Sequence, residues 1–147
     1  MKLNVKIKKV REGADIPRYA TGNSAACDLT ACIDGPILLL PHSSVTVPTG
    51  IAVAPERGDV VSLVFSRSGM GIKYGITLSN SVGVIDADYR GEIAVGLVNH
   101  SDEPYTVNPG DRIAQLMFIP VLKADFEETD SLDDTERGTG GFGSTGK

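Results

Sequence analysis

Apolar residues recur at every second position along most of the chain. Leu3, Val5 and Ile7 alternate with Lys2, Asn4, Lys6 and Lys8, the pattern of a strand with one buried face. Val45, Val47, Ile51 and Val53 repeat it across Ser44 to Val53, and Val61, Leu63 and Phe65 repeat it across Val60 to Phe65. From Glu92 to Asn99 both sets are apolar, Ile93, Val95 and Leu97 against Ala94, Gly96 and Val98, so this strand is expected to be covered on both faces. Arg112 to Ile119 reads the same way. Turn signals separate the runs: Asp34-Gly35-Pro36, Pro48-Thr49-Gly50, Arg57-Gly58-Asp59, Ser101 to Pro104 and Asn108-Pro109-Gly110-Asp111. Short strands with turns about every 8–12 residues predict an all-β sandwich, jelly roll or barrel. The one helical candidate is brief, around Met70 to Tyr74. A doubly wound α/β fold is excluded by the lack of longer helical periodicity, and no internal repeat is visible.

Length and charge narrow the picture. At 147 residues the chain predicts one domain. Its net charge of −5 is unevenly placed. Up to Ala124, 12 acidic side chains balance 12 basic ones, whereas beyond it 7 acidic residues face only Arg137 and Lys147. The neutral body has no basic stripe, which argues against a nucleic-acid surface. No apolar run approaches the roughly 20 residues of a membrane helix. Met1 to Val10 lacks the continuous apolar stretch of a signal peptide. Cys27 and Cys32 are an odd number of positions apart, on opposite faces of any continuous strand, so a local disulfide is not expected. They read as two small buried hydrophobes in a reducing compartment, which favours the cytoplasm.

The composition shift divides the chain into a β domain over 1–124, an acidic connector over 125–136 and a flexible C-terminal arm over 137–147. The connector has few apolar anchors, and the arm has five glycines from Gly138 onward. Neither buries enough surface to offset its ordering entropy.

Four segments offer chemistry. In the arm, glycines let backbone N–H groups converge on an anion, Ser144 and Thr145 add hydroxyls, Arg137 adds charge, and Phe142 offers a plate for a base. Gly141 to Lys147 fits the spacing G-x-x-x-x-G-K, but a P-loop needs a strand before it and a helix after it. The second segment, Ser66-Arg67-Ser68-Gly69, opens the helical candidate and suits phosphate, although a plain loop explains it equally well. The third runs from Asn80 to Glu92. There Asp86, Asp88 and Arg90 are expected on one face of an extended strand with Tyr89 on the other. A carboxylate beside phosphate-binding groups can deprotonate a water, whereas solvated acids with an Arg90 ion pair are the plainer reading of each residue alone. The fourth is Asp28, set within apolar Ala25 to Ala31, either hydrogen-bonded structurally or placed for substrate or metal. His42 and His100 have no partner spacing for zinc.

Taken in order, these segments resemble the trimeric dUTPase family. Its five motifs are matched by Ala25-Ala-Cys-Asp-Leu-Thr-Ala31, Arg67-Ser-Gly-Met-Gly71, Gly83-Val-Ile-Asp-Ala-Asp-Tyr-Arg-Gly-Glu92, Pro109-Gly-Asp-Arg-Ile-Ala-Gln115 and Arg137-Gly-Thr-Gly-Gly-Phe-Gly-Ser-Thr-Gly146. The departures are Cys27 after two alanines and Met70-Gly71 where the family often has Leu-Ala. The resemblance implies a jelly-roll-like (β-clip) subunit and a homotrimer with active sites shared between subunits. It implies Mg2+-assisted hydrolysis of dUTP to dUMP and pyrophosphate, limiting uracil incorporation into DNA and supplying dUMP for thymidylate synthesis. Asp86 would be the general base for water attacking the α-phosphorus, and Gln115 would help place that water or the phosphate. Arg67, Ser68 and Gly69 would hold phosphates from a second subunit. Asn80 and the backbone of Gly83, Val84 and Ile85 would read uracil, with Tyr89 on the deoxyribose. Arg137, Phe142, Gly143, Ser144 and Thr145 would close from a third subunit. Asp28 would meet the metal through water. A dCTP deaminase of the same superfamily needs an acid/base at the pyrimidine C4, and the third motif follows the hydrolase pattern instead. A binding or regulatory module on the same trimer and arm stays open beside the enzyme.

Overall fold

The computed structural model describes residues 2–141, and Phe142, Gly143, Ser144 and Thr145 lie outside the described residues. The described residues form eleven strands and one short helix. In order they are β1 (Val5–Lys9), β2 (Cys27–Thr30), β3 (Ile37–Leu39), β4 (Ser44–Pro48), β5 (Ile51–Pro55) and β6 (Val60–Phe65), then α1 (Ser68–Tyr74), β7 (Ile76–Leu78), β8 (Gly83–Ile85), β9 (Ala94–Asn99), β10 (Tyr105–Val107) and β11 (Arg112–Pro120). Every pairing is antiparallel. The largest sheet has the order β2-β11-β6-β8, a second has β4-β9-β7, and β1-β5 and β3-β10 form two-stranded pairs. The expected all-β, jelly-roll-like subunit is therefore present, with its brief helix starting at Ser68 rather than at Met70.

The period-two pattern explains the core. Along β6 and β11 the inward set is Ser62, Val64, Leu116 and Phe118, opposed pairwise in register. Cys27 and Leu29 on β2 join the same face opposite Leu116 and Ala114. These side chains meet Val47, Val95 and Leu97 from the second sheet, together with Val107 and Ile113, in one continuous buried cluster. Burial pushes the Cys27 thiol up from its ordinary pKa, so it sits as a small neutral hydrophobe. Cys32 lies beyond the end of β2 and is only half-buried, and both cysteines are free thiols.

Two expectations change. The alternation from Ser44 to Val53 spans two strands, because the chain changes sheets at Thr49-Gly50: β4 pairs with β9, and β5 pairs with β1. Gly50 makes this corner in the left-handed region at φ 72°. Strand β9 is buried on one face only within this chain, where Val95 and Leu97 point inward and Ala94 is exposed.

A Cβ on Gly50 would stand 2.6 Å from the Ala14 Cβ and 2.7 Å from the Cys32 sulfur. Gly50→Ala is therefore expected to cost about 2–4 kcal/mol, from left-handed strain together with overpacking. Denaturant unfolding checks this, and an unshifted midpoint would show that the corner can absorb the methyl.

Candidate active site

Strand β8 is an outer strand of the four-stranded sheet, pairing with β6 through Ser62↔Ile85, Leu63↔Val84 and Val64↔Gly83. Its other edge presents backbone donors and acceptors to an open cleft of about 310 Å³. Asn80, Gly83, Val84, Ile85, Asp86 and Tyr89 line this cleft, joined by Glu92, Ile93 and the first three residues of β9, Ala94, Val95 and Gly96. Glycine is needed at 83 because a Cβ would press within 3.0 Å of Val64. The structure thus gathers the residues of the third motif with Asn80 around one concave, half-apolar surface.

The predicted extended strand from Asp86 to Arg90 is not formed. After Ile85 the chain turns, and the Tyr89 amide donates to the Asp86 carbonyl at 3.1 Å. Arg90 donates to the carbonyls of Ala87 (2.7 Å) and Tyr89 (3.0 Å) rather than to Asp86 or Asp88. The Tyr89 ring folds over Gly91, where a Cβ would collide with it, and its hydroxyl donates to the Glu92 carbonyl at 3.2 Å. The Glu92 carboxylate accepts from Arg11 Nε at 2.6 Å and from the Gly50 amide at 2.9 Å. The hydrogen bond from Arg11 comes first among the causes that hold this carboxyl below the usual range.

A second polar group forms at the far end of β6. Arg67 caps the N-terminus of α1 with extended backbone, so Ser68 and Gly69 open the helix's first turn. Its Nη1 donates to the Arg112 carbonyl at 2.9 Å, and its Nε lies 3.4 Å from the Asp28 carboxylate. Arg112 Nη1 reaches the other oxygen of Asp28 at 3.1 Å, and Gln115 Nε2 approaches Asp28 at 3.5 Å. Two guanidiniums and an amide therefore converge on one carboxylate that is only 15% exposed. Strict alternation would turn Arg112 and Gln115 to opposite faces. The extra residue between Arg112 and Ala114 is a β-bulge that sets Arg112 opposite Thr30 and Gln115 opposite Asp28, so both point outward. Sequence reasoning assigned no role to Arg112 or Glu92. The Pro-Gly-Asp-Arg turn gives no notice of the bulge, and the partners of Glu92 are 42 and 81 residues away.

The two groups do not meet within one chain. Ile85 stands opposite Ser62, while Arg67 follows the other end of β6, a separation of roughly 15–20 Å at about 3.3 Å per residue. Gln115, opposite Phe65, belongs to the Arg67 end rather than to Asp86. Arg137 lies in an exposed turn where its Nε donates to the Gly140 carbonyl at 3.0 Å. Among the described residues no group of three or more His, Cys, Asp or Glu could hold a metal ion.

The outward face of the large sheet is apolar. It carries Leu63 and Phe65 of β6, Met117 and Ile119 of β11, all half-buried, and Val84 of β8, 67% exposed. Asp28 and Gln115 lie on the same face.

Comparison with known proteins identifies the family. A family model described as dUTPase matches residues 12–146. The deoxyuridine 5'-triphosphate nucleotidohydrolase of Paraburkholderia phymatum is 47% identical over 147 residues, covering 100% of this chain and 99% of its own length. That of Desulfitobacterium hafniense is 48% identical over 146 residues, covering 98% and 97%. Among solved structures, a mutant dUTPase of Staphylococcus bacteriophage 80alpha with dUpNHpp superposes with a TM-score of 0.85 at 24% identity, covering 98% of this chain and 99% of that one. A mutant dUTPase of S. aureus phage phi11, described with a structural Mg(II) ion, gives 0.80 at 20% identity, covering 89% and 99%. At these identities the two structures speak for the fold. With the family model spanning most of the chain and full-length relatives near half identity, this protein belongs to the dUTPase family of enzymes.

Proposed function

We propose that the chain hydrolyses dUTP to dUMP and pyrophosphate in a homotrimer whose sites are shared between subunits. The observation that carries this reading is the free edge of β8, with Asp86 directly after it and Tyr89 on the opposite wall of one cleft. A strand edge offers alternating N–H and C=O groups, the complement of a pyrimidine's hydrogen-bonding edge. Asn80 adds an amide at the same rim, and the cleft wall would limit room at the pyrimidine C5, where thymine carries a methyl. Tyr89 would pack on deoxyribose and crowd a 2′-hydroxyl.

Asp86 would accept the proton of a water lined up on the α-phosphorus. Arg67, Ser68, Gly69 and Gln115 of a neighbouring copy would hold the phosphates, with Arg67 aimed by Asp28 and Arg112. Asp28 is so committed to the two guanidiniums that its contact with a metal would run through water. Mg2+ bound to the triphosphate supplies charge neutralisation on the phosphate oxygens. Arg137 and the arm beyond it would close on the triphosphate from a third copy, excluding bulk water.

Two features support the trimer. The apolar outward face of the large sheet is of the kind that protein interfaces cover. The separation of roughly 15–20 Å between the Asp86 and Arg67 ends fits a site completed by a second copy. Such an enzyme limits uracil in DNA and supplies dUMP for thymidylate synthesis. We place it in the cytoplasm, a setting that suits its two free thiols.

Pyrophosphate release from dUTP, measured beside dTTP, dCTP and UTP with ammonia release followed for dCTP, tests the reading. dUTP is expected to be strongly preferred, and Asp86→Asn should lower kcat by about 10²–10⁴-fold while dUTP still binds. Equal turnover of all four nucleotides, or near-normal turnover by the variant, would refute it. Truncation after Glu136 should abolish most activity yet leave a folded trimer, because 122–136 is exposed throughout. Full activity in the truncated enzyme would remove the arm from the mechanism.

A further inference from the structure

The loop from Asp86 to Glu92 has no strand or helix to hold it, yet it carries both the proposed base and the proposed sugar contact. Its shape is fixed from its C-terminal end. The Glu92 Oε1 atom takes the Arg11 Nε–H at 2.6 Å and the Gly50 N–H at 2.9 Å. Next in sequence, the Ile93 carbonyl accepts from the Thr49 amide (3.2 Å) and the Thr49 hydroxyl (2.6 Å), and the Ile93 amide donates to the Ile51 carbonyl at 2.8 Å. The Gly50 carbonyl in turn accepts from the Val10 amide at 2.8 Å, so the strand end that carries Arg11 is bound to the same corner. Thr49 and Ile93 are buried, whereas the Glu92 side chain is 24% exposed on the cleft wall and the Arg11 side chain is 51% exposed.

Tyr89 depends on this clamp through the main chain. Its hydroxyl donates to the Glu92 carbonyl, and its ring lies over Gly91, so the plate is defined by where residues 91 and 92 stand. We infer that Glu92, clamped by Arg11 and the Gly50 amide, is a positioning residue that fixes the Tyr89 plate and so sets the discrimination between deoxyribose and ribose. This rests on the proposed contact between Tyr89 and the sugar. Glu92 does not touch the reacting atoms in this account. A charge-assisted bond is shorter and stronger than a neutral one, so removing the charge while keeping the shape loosens the clamp without opening a cavity. Rejection of one added hydroxyl by shape depends on a close fit, so a small displacement of the plate weakens that rejection first.

The test is Glu92→Gln in the full-length enzyme. KM for dUTP should rise about tenfold, kcat should fall less than about threefold, and the preference for dUTP over UTP in kcat/KM should narrow about tenfold. Arg11→Gln, which leaves the Gly50 bond to Glu92 in place, should move both in the same direction by less, and Arg11→Lys should recover part of that change. With 3-fluorotyrosine incorporated, the resonance assigned to Tyr89 by its loss in Tyr89→Phe should shift or broaden in Glu92→Gln. A drop in kcat alone with selectivity kept, or an unmoved Tyr89 resonance, would overturn the inference. The fluorine signal needs no substrate, so it decides on the clamp even where the wild-type enzyme fails to favour dUTP, which would count against the proposed function instead. If Glu92→Gln does not fold, the two substitutions at half-exposed Arg11 carry the same readouts.

Discussion

Strand β6 sets the distance on which the rest of the structure depends. It lies second from one edge of the large sheet, hydrogen-bonded to β11 on one side and β8 on the other, and both ends lead directly into polar groups. The β8 pairing places Asp86 beside one end, and the chain leaves the other end through Ser66 into Arg67 and α1. A six-residue strand cannot be shortened or bent to bring those groups together without breaking its ladders. The subunit therefore holds the two groups apart, and the proposed catalysis, which uses both, would draw one of them from a second copy.

The same sheet offers a surface for the proposed assembly. Its inward face is a packed core of Val64, Leu116, Cys27 and Leu29, which makes the sheet rigid enough to hold both half-sites in fixed relation. Its outward face is apolar through Leu63, Phe65, Met117, Ile119 and Val84, and Asp28 and Gln115 lie on that face. Covering it with a second copy would bury the apolar stripe and lower the dielectric around the Asp28, Arg67 and Arg112 cluster. Each of those charges already has a partner before assembly, so the desolvation falls on an ion-paired network rather than on lone charges.

The architecture was legible wherever one rule governed a stretch. Strict alternation located β6 residue for residue and located β1 and β9 within about two positions. The turn signal at Pro48-Thr49-Gly50 marked the sheet change that the apolar pattern alone ran through. The grouping of Asn80, Gly83 to Asp86 and Tyr89 along one cleft was legible because these residues are close in sequence. The Arg67 end was harder to read. Arg112 joins Asp28 through a bulge that period-two reasoning cannot express, and Glu92 finds Arg11 and Gly50 across long loops. The run from Asp86 to Arg90 misled for the opposite reason: its alternating charges fit a strand, but the Tyr89-to-Asp86 backbone bond makes it a turn.

The central claim is that Asp86 of one copy works with Arg67 of another. Mixing tests it most directly: a chain carrying Asp86→Asn and a chain carrying Arg67→Ala are each made inactive, dissociated together in equal amounts and reassembled. In a trimer with sites shared in rotation, every mixed assembly regains one intact site, so about a quarter of wild-type dUTP turnover should return. Reassembled mixtures no more active than the two parents, with mixed trimers demonstrated by mass, would place both residues in one subunit's site and contradict the account.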